Sequence, residues 1–197
     1  MRDEENIKDV ATIGIDYMGF IFFEGSSRNV TASIPKLPNG QKSVGVFVNA
    51  SFDIIVEKIN THNLQVVQLH GKETPEFCKS LQALNKKIIK VFSINNEFNF
   101  DVLAPYESVC DFFLFDTKGP LFGGNGFCFD WSILDKYPYS KPYFLSGGIG
   151  IKNLSQIQEF KKSTAATYCY CVDVNSKFEL SPAKKDKKKL EKFKQLL

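Results

Sequence analysis

Cys110-Asp111-Phe112-Phe113-Leu114-Phe115-Asp116-Thr117 is an apolar run that ends in a carboxylate, and the glycine-rich stretch Lys118-Gly119-Pro120-Leu121-Phe122-Gly123-Gly124-Asn125-Gly126 follows it. The pattern predicts a buried strand feeding a loop. Side chains alternate faces along a strand, so Phe112, Leu114 and Asp116 share one face and Phe113 and Phe115 the other; both are apolar until the terminal acid. A strand apolar on both faces belongs to a parallel sheet covered by helices. Ligands of such sheets sit beyond the carboxyl ends of the strands, where Asp116 falls; an acid there either serves the ligand or caps the following turn.

Working outward from that strand, the chain alternates. A helix is predicted over Glu4 to Ile13, with acids in its first turn, and no strand precedes it. Strands are predicted over Tyr17 to Phe23, Lys42 to Val48, Val66 to Gly71, Lys87 to Ile94, the run ending at Asp116, Pro142 to Ser146 and Thr167 to Asn175. Between them fall helices over Phe52 to Ile59, after Thr74-Pro75-Glu76, near Phe98 to Tyr106, from Asp130 through Leu134, and over Asn153 to Phe160. Strands alternating with helices argue for a parallel α/β fold in a single domain spanning 1–197. A doubly wound sheet would carry a phosphate loop after its first strand, and neither G-x-G-x-x-G nor a Walker sequence stands there. The glycines fall late, at Ser146-Gly147-Gly148-Ile149, as in the phosphate sites of (β/α)8 barrels. Seven strands preceded by an orphan helix read as a (β/α)8 TIM barrel with its first strand missing from the given chain.

Composition narrows the function classes. A chain of 197 residues, 43% hydrophobic with nineteen Phe, can bury one sizeable core, and nothing in it approaches the roughly 18 apolar residues of a membrane span. The acidic start, Met1-Arg2-Asp3-Glu4-Glu5-Asn6, does not read as a signal peptide, and five cysteines form no paired framework, so a reducing cytoplasm is expected. The lysine-rich end from Lys184 to Lys194 is a crude nucleic-acid signal, but Leu190, Phe193 and Leu197 recur there at helical spacing. It reads as an amphipathic last helix with a solvated lysine face, so neither nucleic acid nor membrane is expected as a partner.

Several strings carry a specific resemblance: Gly19-Phe20-Ile21-Phe22 with Ser27-Arg28, Val44-Gly45-Val46-Phe47-Val48-Asn49, Val67-Gln68-Leu69-His70-Gly71, Phe113 to Thr117, Gly123-Gly124-Asn125-Gly126 with Phe129-Asp130-Trp131, Ser146-Gly147-Gly148, and Asp173-Val174-Asn175-Ser176. In this order they resemble the phosphoribosylanthranilate isomerase family of tryptophan biosynthesis, over nearly the whole chain. The resemblance implies an Amadori rearrangement of a sugar-phosphate substrate, without cofactor or metal. In it an acid protonates the ribose ring oxygen and a base removes the proton from C2.

Asp116 matches the family's acid. Donating a proton near neutral pH calls for a raised pKa, which an apolar strand end beside Phe112 and Leu114 can supply. The family's base is a cysteine at the end of the first strand, in a Lys-x-Cys-Gly motif directly ahead of the position of Met1-Arg2, so the base is expected to be absent from the given chain. Cys169 and Cys171 alternate in step with Asp173 and Cys128 lies near the mouth, but unperturbed thiols in such places usually only pack. By the resemblance, Ser146, Gly147, Gly148, Asn175 and Ser176 form the phosphate loops, Arg28 holds the anthranilate carboxylate, and His70 and Asp173 line the ligand site. Lys177 and Asn125 stand where the family usually has glycine and threonine. A non-catalytic sugar-phosphate binder is the alternative. The full-length protein is expected to be a monomer, and a chain without the first strand to leave a gap with exposed edges prone to association.

Overall fold

The computed structural model describes residues 1–38, 40–117 and 128–197. The glycine-rich stretch after Thr117, with Asn125, lies outside the described residues. Seven strands, β1 (Tyr17–Phe22), β2 (Lys42–Phe47), β3 (Val66–Leu69), β4 (Lys87–Ile94), β5 (Phe112–Thr117), β6 (Tyr143–Leu145) and β7 (Cys169–Val172), form one sheet in chain order, every neighbouring pair parallel. Helices α1 (Glu4–Ala11), α2 (Phe52–His62), α3 (Pro75–Leu81), α4 (Leu154–Phe160) and α5 (Lys187–Leu196) lie outside the strands, and short 3-10 turns replace helices after β4 and β5. This is the expected α/β barrel architecture of seven strands.

Local chemistry explains the helix starts. The Asp3 side chain accepts from Asn6 N at 2.7 Å ahead of α1, and Thr74 caps α3 with Pro75 in its first turn. Asp130 caps the turn Trp131–Lys136. The opening strand divides its faces as its alternation requires. Phe113 and Phe115 are fully buried in the outer layer with Phe20, Phe47, Leu69, Tyr143 and the helices. Leu114 joins Val44, Val46, Val66, Ile89, Val91 and Phe144 in the barrel interior, with Phe112 packed on them. Burying each large ring contributes about 1.5–3 kcal/mol, so β5 anchors both layers.

Some boundaries shift. The last strand is only Cys169–Val172, because the 3-10 turn Thr164–Tyr168 occupies its predicted start and the register against β6 slips between Tyr143 and Phe144. That slip puts Cys169 against the outer core while Cys171 packs on the interior cluster, so the two thiols do not both point inward. The lysine-rich end is not one helix: Glu179–Ser181 (β8) and Lys184–Lys185 (β9) pair as an antiparallel hairpin before α5, and Lys185 is buried. In α5 Leu190 and Phe193 are buried as expected, whereas Leu197 is exposed.

Among the described residues β1 and β7 pair with β2 and β6 only, leaving a gap between them. The Tyr17 hydroxyl reaches across it to the Tyr170 hydroxyl at 3.3 Å, and the Met1 nitrogen donates to Gly19 O at 2.8 Å. A buried ion pair fixes the loops after β2 and β3. Glu73 accepts from Lys90 Nζ at 3.0 Å, Asn49 N at 2.8 Å and Gly71 N at 3.0 Å, which holds the turn below His70.

Candidate active site

Parallel pairing brings the carboxyl ends of the strands to one rim, and ladder hydrogen bonds continue past the strands to seat the site residues. His70 N donates to Phe47 O, Ser146 N to Phe115 O and Asp173 N to Leu145 O, at 2.8, 2.9 and 2.8 Å. The three side chains then project from neighbouring strand ends into a cavity of about 550 Å³, together with Asp116. Arg28, Gly148, Asn175 and Ser176 also line it, while Gly147 stands behind its wall. The sequence-predicted residues other than Gly147 are thus gathered at one mouth. The cavity continues down the gap between β1 and β7, where Met1, Val10 and Leu190 line it.

Asp116 is buried; its Oδ1 accepts from Thr117 N at 2.9 Å and its Oδ2 lies 3.4 Å from His70 Nε2. Next to it, the Ser146 hydroxyl donates to Asp173 Oδ2 at 2.8 Å. Burial pushes the Asp173 carboxyl above its ordinary pKa, and the charge of Asp116 adds to that rise against the opposing Ser146 hydrogen bond. Two carboxyls and an imidazole in one pocket are the materials of proton transfer.

The glycine turn after β6 is conformationally demanding. Gly147 has φ +97° and Gly148 φ +70°, and a Cβ on Gly147 would lie 2.2 Å from Thr117 Oγ1 and 2.7 Å from Thr117 N. The backbone N–H groups of Gly148 and Ser176 donate to no acceptor among the described residues, leaving two donors at the rim for an anion. Gly147→Ala is expected to lower stability by about 1–3 kcal/mol from the backbone strain alone. A urea midpoint equal to that of the parent chain would contradict this reading of the turn.

Arg28 is not a solvated surface residue. Its Nε and Nη2 grip Glu179 at 3.0 and 2.6 Å, and its side chain is only 22% exposed. Glu179 and Lys185 escaped sequence reasoning: Lys185 is hidden in a run of lysines, and Glu179 has no motif spacing to mark it. The other candidate bases are poorly suited. Burial pushes the Cys169 thiol up to about 11 and the Cys171 thiol up to about 12, and raises that of Cys128 as well. Among the described residues no group of His, Cys, Asp and Glu is arranged to hold a metal, and no helix is long and apolar enough to cross a membrane.

Comparison with known proteins adds the lineage of this arrangement. The family model described as N-(5'phosphoribosyl)anthranilate (PRA) isomerase matches residues 1–196. The chain is 44% identical over 186 residues to the N-(5'-phosphoribosyl)anthranilate isomerase of Phocaeicola vulgatus, covering 94% of this chain and 89% of that one. It is 41% identical over 203 residues to that of Parabacteroides distasonis, covering 98% and 88%. Among solved structures, the phosphoribosyl anthranilate isomerase of Thermotoga maritima superposes with a TM-score of 0.84 at 30% identity, covering 100% of this chain and 94% of that one. A phosphoribosyl anthranilate isomerase in complex with reduced 1-(o-carboxyphenylamino)-1-deoxyribulose 5-phosphate superposes at 0.78 with 28% identity, covering 98% and 92%.

Proposed function

The chain belongs to the N-(5'-phosphoribosyl)anthranilate isomerase family of tryptophan biosynthesis, and we propose that its mouth isomerises that aminoaldose phosphate with Asp116 as the general acid. The family match over residues 1–196 carries the reaction, and the convergence of Asp116, His70, Ser146, Asp173 and Arg28 on one cavity supports the place.

The roles follow from chemistry. Protonation of the ribose ring oxygen by Asp116 lets the anthranilate nitrogen push the ring open to a Schiff base, and His70, 3.4 Å away, orients the carboxyl for that transfer. Loss of the C2 proton to a base then gives an enolamine, which tautomerises to the aminoketose. The anionic ends of the substrate fix its direction. The phosphate lies against Ser146, Gly148, Asn175 and Ser176, where the N–H groups of Gly148 and Ser176 are free, with Gly147 turning the backbone behind them, and the anthranilate carboxylate lies against Arg28. Asp173, held by Ser146, faces the sugar between them. The barrel acts as a single domain in this reading.

Calorimetric titration with the reduced product analogue tests it: one site, competed by inorganic phosphate, is expected. Absence of saturable binding, or binding that phosphate leaves untouched, would overturn the assignment.

A further inference from the structure

Beside the groups assigned to chemistry, one buried cluster of charge borders the cavity. Glu179, 5% exposed in its side chain, accepts from Arg28 Nε at 3.0 Å and Nη2 at 2.6 Å, from Lys185 Nζ at 3.1 Å and from Ala183 N at 3.1 Å. Lys185 carries the network onward, donating to the Asn175 carbonyl at 3.0 Å and to the Asn175 side-chain oxygen. Asn6 of α1 pins the backbone of that lysine: Lys185 N donates to Asn6 Oδ1 at 2.7 Å, and Asn6 Nδ2 donates to Lys185 O at 2.9 Å. The loops after β1 and after β7 therefore meet on one carboxylate.

We propose that Glu179 and Lys185 are positioning residues that tie together the two anion-binding ends of the site, Glu179 aiming Arg28 at the substrate's aromatic carboxylate and Lys185 holding Asn175 in the phosphate loop. This rests on the isomerase reading of the mouth. Glu179 occupies the Nε/Nη2 edge of the guanidinium, while Nη1 makes no hydrogen bond among the described residues. A guanidinium locked along one edge loses little further rotamer freedom when a second carboxylate meets the other. Glu179 thus holds two cations, Arg28 and Lys185, on one carboxylate. Glu179 stays ionised at neutral pH: burial pushes it up, but the Arg28 hydrogen bond and the Lys185 charge outweigh that and hold it at about 2, while burial pushes the Lys185 ammonium down against the Glu179 charge. A plain structural staple would serve stability and show no preference for one end of the ligand.

The test titrates two probes, the reduced product analogue, with both anionic ends, and ribose 5-phosphate, with the phosphate alone. Glu179→Gln is expected to weaken the analogue by about tenfold, the size of one charge-assisted hydrogen bond, and to leave ribose 5-phosphate within about twofold. Lys185→Met is expected to weaken both. Removing an anion that acted only through its charge would tighten both probes, and that result overturns the proposal, as does an equal loss for the two or none. Glu179→Asp keeps the charge and shortens the arm. It is expected to show a smaller loss confined to the analogue, and it carries the test if the amide variant does not fold; an affinity unchanged for both probes overturns the proposal there too. Failure of the parent chain to bind either probe would remove the isomerase reading and this proposal with it, whereas parent binding with a flat response of the variants removes the proposal alone.

Discussion

Joining a strand that ends in Cys-Gly ahead of Met1 is expected to raise kcat for N-(5'-phosphoribosyl)anthranilate by about a hundred- to ten-thousandfold over the 197-residue chain, the usual worth of one proton-transfer group. Ring opening and C2 deprotonation need separate groups, and the described mouth offers an acid in Asp116 without a thiol fit to be the base. Cys169 and Cys171 are held at about 11 and 12 by burial, and Cys169 packs toward the helices. Met1 lines the same cavity as Asp116, and its nitrogen donates to Gly19 O, so residues placed ahead of it enter the gap beside β1. The rate is read from the fluorescence of the anthranilate ring as substrate disappears. Equal rates for the two chains, or no difference between an added Cys-Gly and an added Ala-Gly, would show that the base lies elsewhere.

How much of this was legible in the sequence depends on which force sets each feature. The strands were, because burial on two faces writes a continuous apolar run: Lys87–Ile94 and Phe112–Thr117 stand where the pattern of residues places them. So were helix starts with a side-chain cap, such as Thr74 before α3. Boundaries set by tertiary register were not. Thr167 and Tyr168 have β-compatible side chains, yet a 3-10 turn takes them, and the slip against β6 turns Cys169 outward, which no alternation rule reveals. Lys184 and Lys185 read as helix surface because charge predicts solvent, whereas Asn6, distant in sequence, and Glu179, across the β8–β9 hairpin, make it possible to bury Lys185.

The candidate site divides in the same way. Residues placed by strand ends, His70, Asp116, Ser146 and Asp173, could be read from periodicity and motif, and the fold gathers them in one cavity. Arg28 is marked by its motif, but its grip on Glu179 is not, since a guanidinium in a loop finds its partner only where the loops after β1 and β7 come together. Interactions that join the first and last parts of the chain leave no local periodicity to read.

Everything proposed for the mouth turns on Asp116 donating the proton that opens the ribose ring. Asp116→Asn keeps the shape of the side chain, its acceptor for Thr117 N and a polar neighbour for His70, and removes the acidic proton. An interaction needed in the transition state and not in the bound ground state lowers kcat and spares affinity. The direct measurement is a paired one on the chain carrying the Cys-Gly strand: single-turnover conversion of N-(5'-phosphoribosyl)anthranilate and calorimetric affinity for the reduced product analogue, with and without Asp116→Asn. Loss of the rate by about a hundred- to ten-thousandfold with analogue affinity kept within about threefold is the predicted result. A variant that turns over at the parent rate, or one that loses affinity in proportion to its rate, would make Asp116 a bystander or a ligand contact and not the acid.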